Sequence, residues 1–129
     1  MRNALYVLSV FLALIIGQNA LAKKTQPISP TQAIHAVGQK ATVCGKAASV
    51  HFAARSRGQP TFINLGAPYP HEVFTILIWG DERPAFKPAP ETWQGKTICV
   101  NGLVKLYRGT PEIIAHSPSQ IRGPKSPSP

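Results

Sequence analysis

Two stretches of this chain repeat one pattern, Gly38-Gln39-Lys40-Ala41-Thr42-Val43-Cys44-Gly45 and Gly95-Lys96-Thr97-Ile98-Cys99-Val100-Asn101-Gly102, and each sets two glycines around a Cys-bearing run of alternating residues. In a strand, successive side chains point to opposite faces. Cys44 therefore lies on the parity opposite Val43, and Cys99 on the parity opposite Ile98 and Val100. Two such strands laid side by side project their only cysteines from one side of a sheet. We expect Cys44 and Cys99 to pair. On a chain-entropy model a loop of this length is worth roughly 4 kcal/mol, although measured gains often fall short. A metal site is the competing use, but neither Cys has a second Cys or a His at ligand spacing.

A disulfide needs an oxidising compartment, and the start of the chain offers a route to one. Met1-Arg2-Asn3 is followed by a largely apolar run from Leu5 to Ile16 and then by small and polar residues ending at Ala20-Leu21-Ala22. This is the layout of a secretory signal peptide with cleavage after Ala22. An uncleaved anchor is the alternative, yet the run is shorter than the roughly 20 apolar residues a spanning helix needs. The expected location is periplasmic or secreted, with no stable membrane insertion after cleavage. Residues 23–129 suffice for one domain with one modest core. The net charge of +9 falls to about +8 once Arg2 leaves with the leader, and it favours anionic partners.

Residues 23–29 read as an extended lead-in, because Pro27 and Pro30 resist helix and strand interiors. Ser29 and Pro30 then suit the N-cap and first position of a short helix carrying Ala33, Ile34 and Val37. A long first strand is expected from Lys40 to Phe52, bent near Gly45. A second covers Thr61 to Leu65. The third, Val73 to Trp79, is apolar almost throughout and so should be buried on both faces. Pro84, Pro88 and Pro90 permit only a short, broken helix near Ala89 to Trp93. A fourth strand spans Lys96 to Tyr107, a turn follows at Arg108-Gly109-Thr110, and a fifth strand runs from Pro111 to His116. Residues 122–129, rich in Pro, Ser and Lys, should be disordered.

This element order predicts an all-β domain over residues 30–121, a five-stranded OB-fold Greek-key barrel with short helices before strand 1 and between strands 3 and 4. A small barrel of the SH3 type is the alternative. Three segments also carry a resemblance: Ala41-Thr42-Val43-Cys44-Gly45-Lys46, Gly58-Gln59-Pro60-Thr61-Phe62-Ile63-Asn64-Leu65-Gly66 and Tyr107-Arg108-Gly109-Thr110-Pro111-Glu112-Ile113-Ile114 resemble small bacterial OB-fold domains. Some of those domains are exported, and some are attached to thermonuclease-like enzymes. The resemblance implies the fold more than the task, since OB-folds bind nucleic acids, saccharides and proteins.

OB-folds take ligands across strands 2 and 3, between the loop joining strands 1 and 2 and the loop joining strands 4 and 5. The candidate binding residues are therefore Arg55 and Arg57 in the first loop, Lys105, Tyr107 and Arg108 around the second, and Phe62 and Asn64 between them. Cations for phosphates beside an aromatic stacking face are what single-strand binders use. Phe62 could instead be core, and the arginines ordinary solvated charges. His35, His51, His71 and His116 are scattered and read as isolated surface residues. Asp81 and Glu82 are the only adjacent acids, in the connection after strand 3 and expected far from the arginine loops. Without a carboxylate set to hold a metal or a nucleophile motif, neither catalysis nor a cofactor is expected.

The expected function is binding of nucleic acid, single-stranded by preference, with a separate nuclease or an envelope protein as a further partner. The other class is an envelope interaction protein that holds a protein or an acidic glycan. The rigid, aromatic Gly66-Ala67-Pro68-Tyr69-Pro70 segment could pack over the barrel or serve such docking.

Overall fold

A computed structural model describes residues 26–123. Residues 1–22, expected to be a signal peptide, the first part of the expected lead-in and the residues beyond Gly123 lie outside the described residues. The elements run in the order η1 (Pro30–Ala36), β1 (Lys40–Phe52), β2 (Thr61–Leu65), β3 (Phe74–Ile78), η2 (Arg83–Ala85), η3 (Pro90–Trp93), β4 (Thr97–Leu103), β5 (Lys105–Tyr107), β6 (Thr110–Ile114), η4 (Pro118–Gln120) and β7 (Ile121–Arg122), every η being a 3-10 turn.

The strands form one sheet in the order β5-β6-β3-β2-β1-β4-β7. All pairs are antiparallel except β3 with β6, which run parallel. A long first strand shared between the second and fourth, and a parallel return beside the third, give an OB-like arrangement. β1 serves two partners because it changes register between Ala47 and Ser49. Its first half, Lys40 to Lys46, pairs with β4 and its second half with β2. An extra residue of this kind bends a strand and increases its twist. The irregularity falls after the bend expected at Gly45.

Cys44 and Cys99 are direct partners in the β1–β4 ladder and form a disulfide. On the other edge of β1, Ile28 donates its N–H to the Thr42 carbonyl at 2.8 Å and accepts from Cys44 at 3.0 Å. The extended backbone before Pro30 thereby occupies an edge that β4 leaves free.

The sheet has seven strands where five were expected, for two local reasons. The long strand from Lys96 breaks at Val104, whose side chain is fully buried and whose backbone bonds the turn before β1, donating to the Gln39 carbonyl and accepting from Gly38, each at 2.9 Å. The chain pairs with β1 before the break and with β6 after it. The second reason lies at the end: Ile121 and Arg122 pair with Val100 and Cys99, so residue 122 belongs to the sheet and not to a disordered tail. The ladder ends on β5 and β7 without closing. It nevertheless curls far enough to bring β6 onto β4, since a Cβ at Gly102 would meet Ile113 Cγ2 at 2.7 Å.

Inside the curl lie Val43, Ile63, Leu65, Phe74, Ile76, Ile78, Ile98, Val100 and Ile113, all fully buried. Each large apolar side chain removed from water contributes about 1.5–3 kcal/mol. β3 is buried along its whole length, but it is shorter than the expected strand: Val73 and Trp79, the two ends of the apolar run, fall outside it and are each 37% exposed. The connection after it makes two separate 3-10 turns, and Phe86 between them plugs the core edge-on to Trp93 at 6.3 Å.

Candidate functional site

The outward face of the sheet is built from residues of the parity opposite the core. The register aligns Ser49, Asn64, Thr75, Glu112 and Lys105 in one row across five strands. His51, Phe62, Leu77 and Ile114 form the next row. The first is a polar ladder: Asn64 Nδ2 donates to Ser49 Oγ at 3.0 Å, and Thr75 Oγ1 donates to Asn64 Oδ1 at 3.0 Å. Ser49 Oγ also accepts from the Tyr69 N–H at 3.2 Å, which fixes the aromatic loop beside this face with the Tyr69 ring exposed. Asn64, singled out as a ligand residue from its parity, is thus on the expected face but only 4% exposed. Its amide is committed to holding Ser49 and Thr75 in line. Phe62 is half-buried on the same face, between His51 and Leu77.

Glu112 sits in the polar row opposite Lys105. Burial raises its carboxyl above the ordinary value, and the Lys105 charge only partly offsets that rise. The polar row therefore holds, one strand in from the β5 edge, a carboxylate that disfavours further negative charge.

The two basic loops do not converge. The β1–β2 loop, with Arg55 and Arg57, lies at the end of the face where Thr61 pairs with Ile78. The β5–β6 turn, with Arg108, lies at the other end, where β3 and β6 begin. They bracket the face across the length of β3, roughly 15 Å of strand. Arg55 and Arg57 are exposed and, among the described residues, make no side-chain hydrogen bond or ion pair. Arg108 adopts a left-handed backbone at φ 48° and sets its guanidinium 5.3 Å from the Tyr107 ring centroid. Tyr107 and Arg108 form one stacked unit on an exposed edge strand.

Trp79 was overlooked as a site residue. It shares the outward parity of Thr75 and Leu77, is 37% exposed, and lies against Gly58 of the arginine loop. The signal was present in the alternation of β3, but a continuous apolar run hid it. Trp79, Gly58, Gln59, Asp81 and Glu82 line an open depression of about 570 Å³. The two acids thus stand beside the arginine loop, contrary to the separation expected from their place after strand 3. The Gly80 N–H donates to the Gly58 carbonyl at 2.9 Å and draws the two segments together. His116 is not isolated either: its Nδ1 lies 2.9 and 3.1 Å from the carboxylate oxygens of Glu82.

Arg83 carries a structural duty at the same end of the sheet. It stacks 4.2 Å over Phe52, donates to Thr61 Oγ1 at 2.8 Å and pairs with Glu91. Burial pushes the Glu91 carboxyl up, but its backbone hydrogen bond and the Arg83 bond and charge outweigh this and leave it below the ordinary value. Among the described residues, no three His, Cys, Asp or Glu side chains are placed to hold a metal ion, and no helix is long and apolar enough to cross a membrane.

No family model and no curated protein matches this chain. Among solved structures it is similar to the S. pombe Stn1-Ten1 complex, at 19% identity and a TM-score of 0.48, over 68% of this chain and 60% of that one. It is also similar to a putative aspartyl-tRNA synthetase from Leishmania major Friedlin, at 12% identity and a TM-score of 0.48, over 82% of this chain and 22% of that one. The chain spans less than two thirds of either. The fold stands on its own strand pairing.

Proposed function

We propose that this protein is an exported OB-fold module that binds single-stranded nucleic acid across the outward face of β1, β2, β3 and β6. The observation that carries this reading is the bracketing of one face by two cationic loops, with aromatic side chains between and beside them. A single strand crossing the face meets Arg55 and Arg57 at one end and Arg108 with Tyr107 at the other. Phosphates suit the rims, where cations are exposed. Bases suit the ring faces of Phe62 and of Trp79 and Tyr107 beside the two rims, and Glu112 repels phosphate from the polar row between them. Stacking of this kind is sequence-tolerant and worth about 1–3 kcal/mol per base.

The role is binding and not catalysis, and it needs no cofactor. Binding rests on charge, so it must fall with salt: four phosphate contacts on a single strand give a slope of roughly −3 in log K against log salt. The leader at residues 1–22 and the Cys44–Cys99 disulfide support a periplasmic or secreted location. A nuclease or an envelope protein acting on the same strand is the natural further partner there.

Fluorescence anisotropy of the purified, oxidised protein with a labelled strand of about 20 nucleotides, a length that outspans one OB domain, tests the reading beside a duplex and an acidic glycan. Salt-sensitive binding that prefers the single strand is expected, with the strand left intact after prolonged incubation with Mg²⁺. Absence of binding even at low salt sinks it. Preference for the glycan returns the face to an envelope interaction role.

A further inference from the structure

The open edge of the sheet carries a second surface of different chemistry. η1 packs near the β5–β6 hairpin, and between them lies a cleft of about 320 Å³ lined by Thr31, Ile34, Glu72, Val73 and the hairpin residues Gly109 to Pro111. Its walls are largely apolar. Ile34 in η1 and Val37 just after it are 45% and 38% exposed. Leu106, opposite the cleft residue Pro111 in the hairpin ladder, is 53% exposed. Large apolar side chains left in water around one cleft mark an interaction surface more than a solvated one.

Glu72 gives that surface a specificity. Its Oε2 is buried and has no hydrogen-bond partner, alone in this respect among side-chain atoms of the described residues. Glu72 itself is half-buried and lines the cleft, so its carboxylate is a negative group beside apolar walls that no donor of this chain satisfies, and an incoming cation suits it. The chain has many cations, yet none of the described ones pairs with Glu72. Arg108, next in sequence to Gly109 at the mouth of the cleft, is turned onto Tyr107 instead. The same carboxylate excludes a phosphate, which separates this cleft from the face described above.

We propose that the cleft between η1 and the β5–β6 hairpin docks a segment of another protein that inserts an arginine or lysine side chain against Glu72 and lays flanking apolar residues on Ile34, Val37 and Leu106. Charge complementarity selects this occupant: a long aliphatic stem matches the apolar walls and its cationic head supplies the missing donor. The apolar surface extends beyond the cleft, so the fit is to a peptide segment and not to a small ammonium ion.

The test is an amide NMR titration of the purified, oxidised protein with acetyl-Leu-Arg-Leu-amide and with the same peptide carrying uncharged citrulline in place of arginine. The arginine peptide should shift the amides of Glu72, Val73, Gly109 and Thr110 and bind at least about fivefold more tightly than the citrulline peptide. Glu72→Gln should remove that difference while leaving oligonucleotide binding unchanged. Leu106→Ser, which keeps Glu72, should weaken both peptides. Equal response to the two peptides, or shifts confined to the Phe62 and Trp79 face, overturns the proposal. So does concentration-dependent self-association that Glu72→Gln abolishes, since the occupant would then be a second copy of this chain.

Discussion

The two ends of the outward face hold the same kind of charge in different states. At the β1–β2 end, Arg55 and Arg57 project from a loop and meet no partner among the described residues, while the carboxylates of Asp81 and Glu82 line the depression next to that loop. At the β5–β6 end, Arg108 is already stacked on Tyr107 and Lys105 faces Glu112. The first end offers exposed, unpartnered cations among the described residues and a local field that the acids dilute. The second offers a preformed platform with less charge to release. A long, flexible cation contributes through counterion release, whereas an ordered ring and guanidinium contribute through contact with little ordering cost. On the proposed function, the first end should set how binding responds to salt and the second how it responds to the loss of a base.

The sharpest way to break this comparison is to remove the free cations. Arg55→Ala with Arg57→Ala should lower affinity roughly 15-fold near physiological salt and flatten the salt slope by about 1.4, the share of two phosphate contacts on a single strand. Tyr107→Ala should cost about fivefold, since the ring is half-exposed and stacks on one base, and it should leave the slope unchanged. If the tyrosine variant moves the slope as much as the arginine pair does, the two ends are not specialised. Anisotropy titrations at three salt concentrations decide between these outcomes.

A third substitution asks whether the free end is as loosely held as its arginines suggest. Gly58 has φ +76°, and a Cβ there would lie 2.9 Å from the Trp79 ring. Gly58→Ala must therefore strain the loop and push the indole, at a cost of about 1–2 kcal/mol. The Trp79 contribution to fluorescence should shift and affinity should drop about threefold, an effect of order 0.6 kcal/mol. An unchanged spectrum would mean that the loop moves freely over Trp79 and that the depression between them is not a fixed feature.

Features of this molecule with local causes are legible in its sequence, and those with distant causes are not. The bounds of β1 and β2 are set by alternation and by flanking glycines and prolines, and they coincide with the sequence expectation. Cys44 and Cys99 could be paired because parity alone puts them on one side of neighbouring strands. Val104 could not be read as a break, because what stops the strand is a pair of backbone bonds to Gly38 and Gln39, more than sixty residues away in the chain. The sequence expectation ends the domain at residue 121 and starts the tail at Arg122, because a two-residue strand carries no periodicity. The site divides in the same way. Strand parity put Phe62 and Asn64 on the outward face, but only the register shows that Asn64 is consumed by Ser49 and Thr75. The loop cations were found from composition. Their separation to opposite ends of the face follows from the parallel pairing of β3 with β6, which leaves no mark in either segment alone.

Glu112 connects the two ends, since its carboxyl faces Lys105 at one end of the polar row and lies on the path of a strand crossing to the other. Its carboxyl is raised above the ordinary value by burial, with Lys105 opposing. The folded protein therefore holds that proton more tightly than the unfolded chain. The ionised group is a destabilising feature that develops as pH rises from the ordinary carboxyl value through the raised one, and it is relieved below both. Bound phosphates would raise the carboxyl further, so binding and protonation must favour each other. Glu112→Gln keeps the shape and removes the charge. It should strengthen oligonucleotide binding about twofold at neutral pH, the effect of one screened like charge, and remove the part of the pH dependence that lies in the acid range. The gain should vanish at the lowest pH at which the protein stays folded, where the native carboxyl is protonated. A glutamine variant that binds more weakly at neutral pH would place Glu112 in direct contact with a base as an acceptor, and would move the specificity of the face from its loops to its polar row.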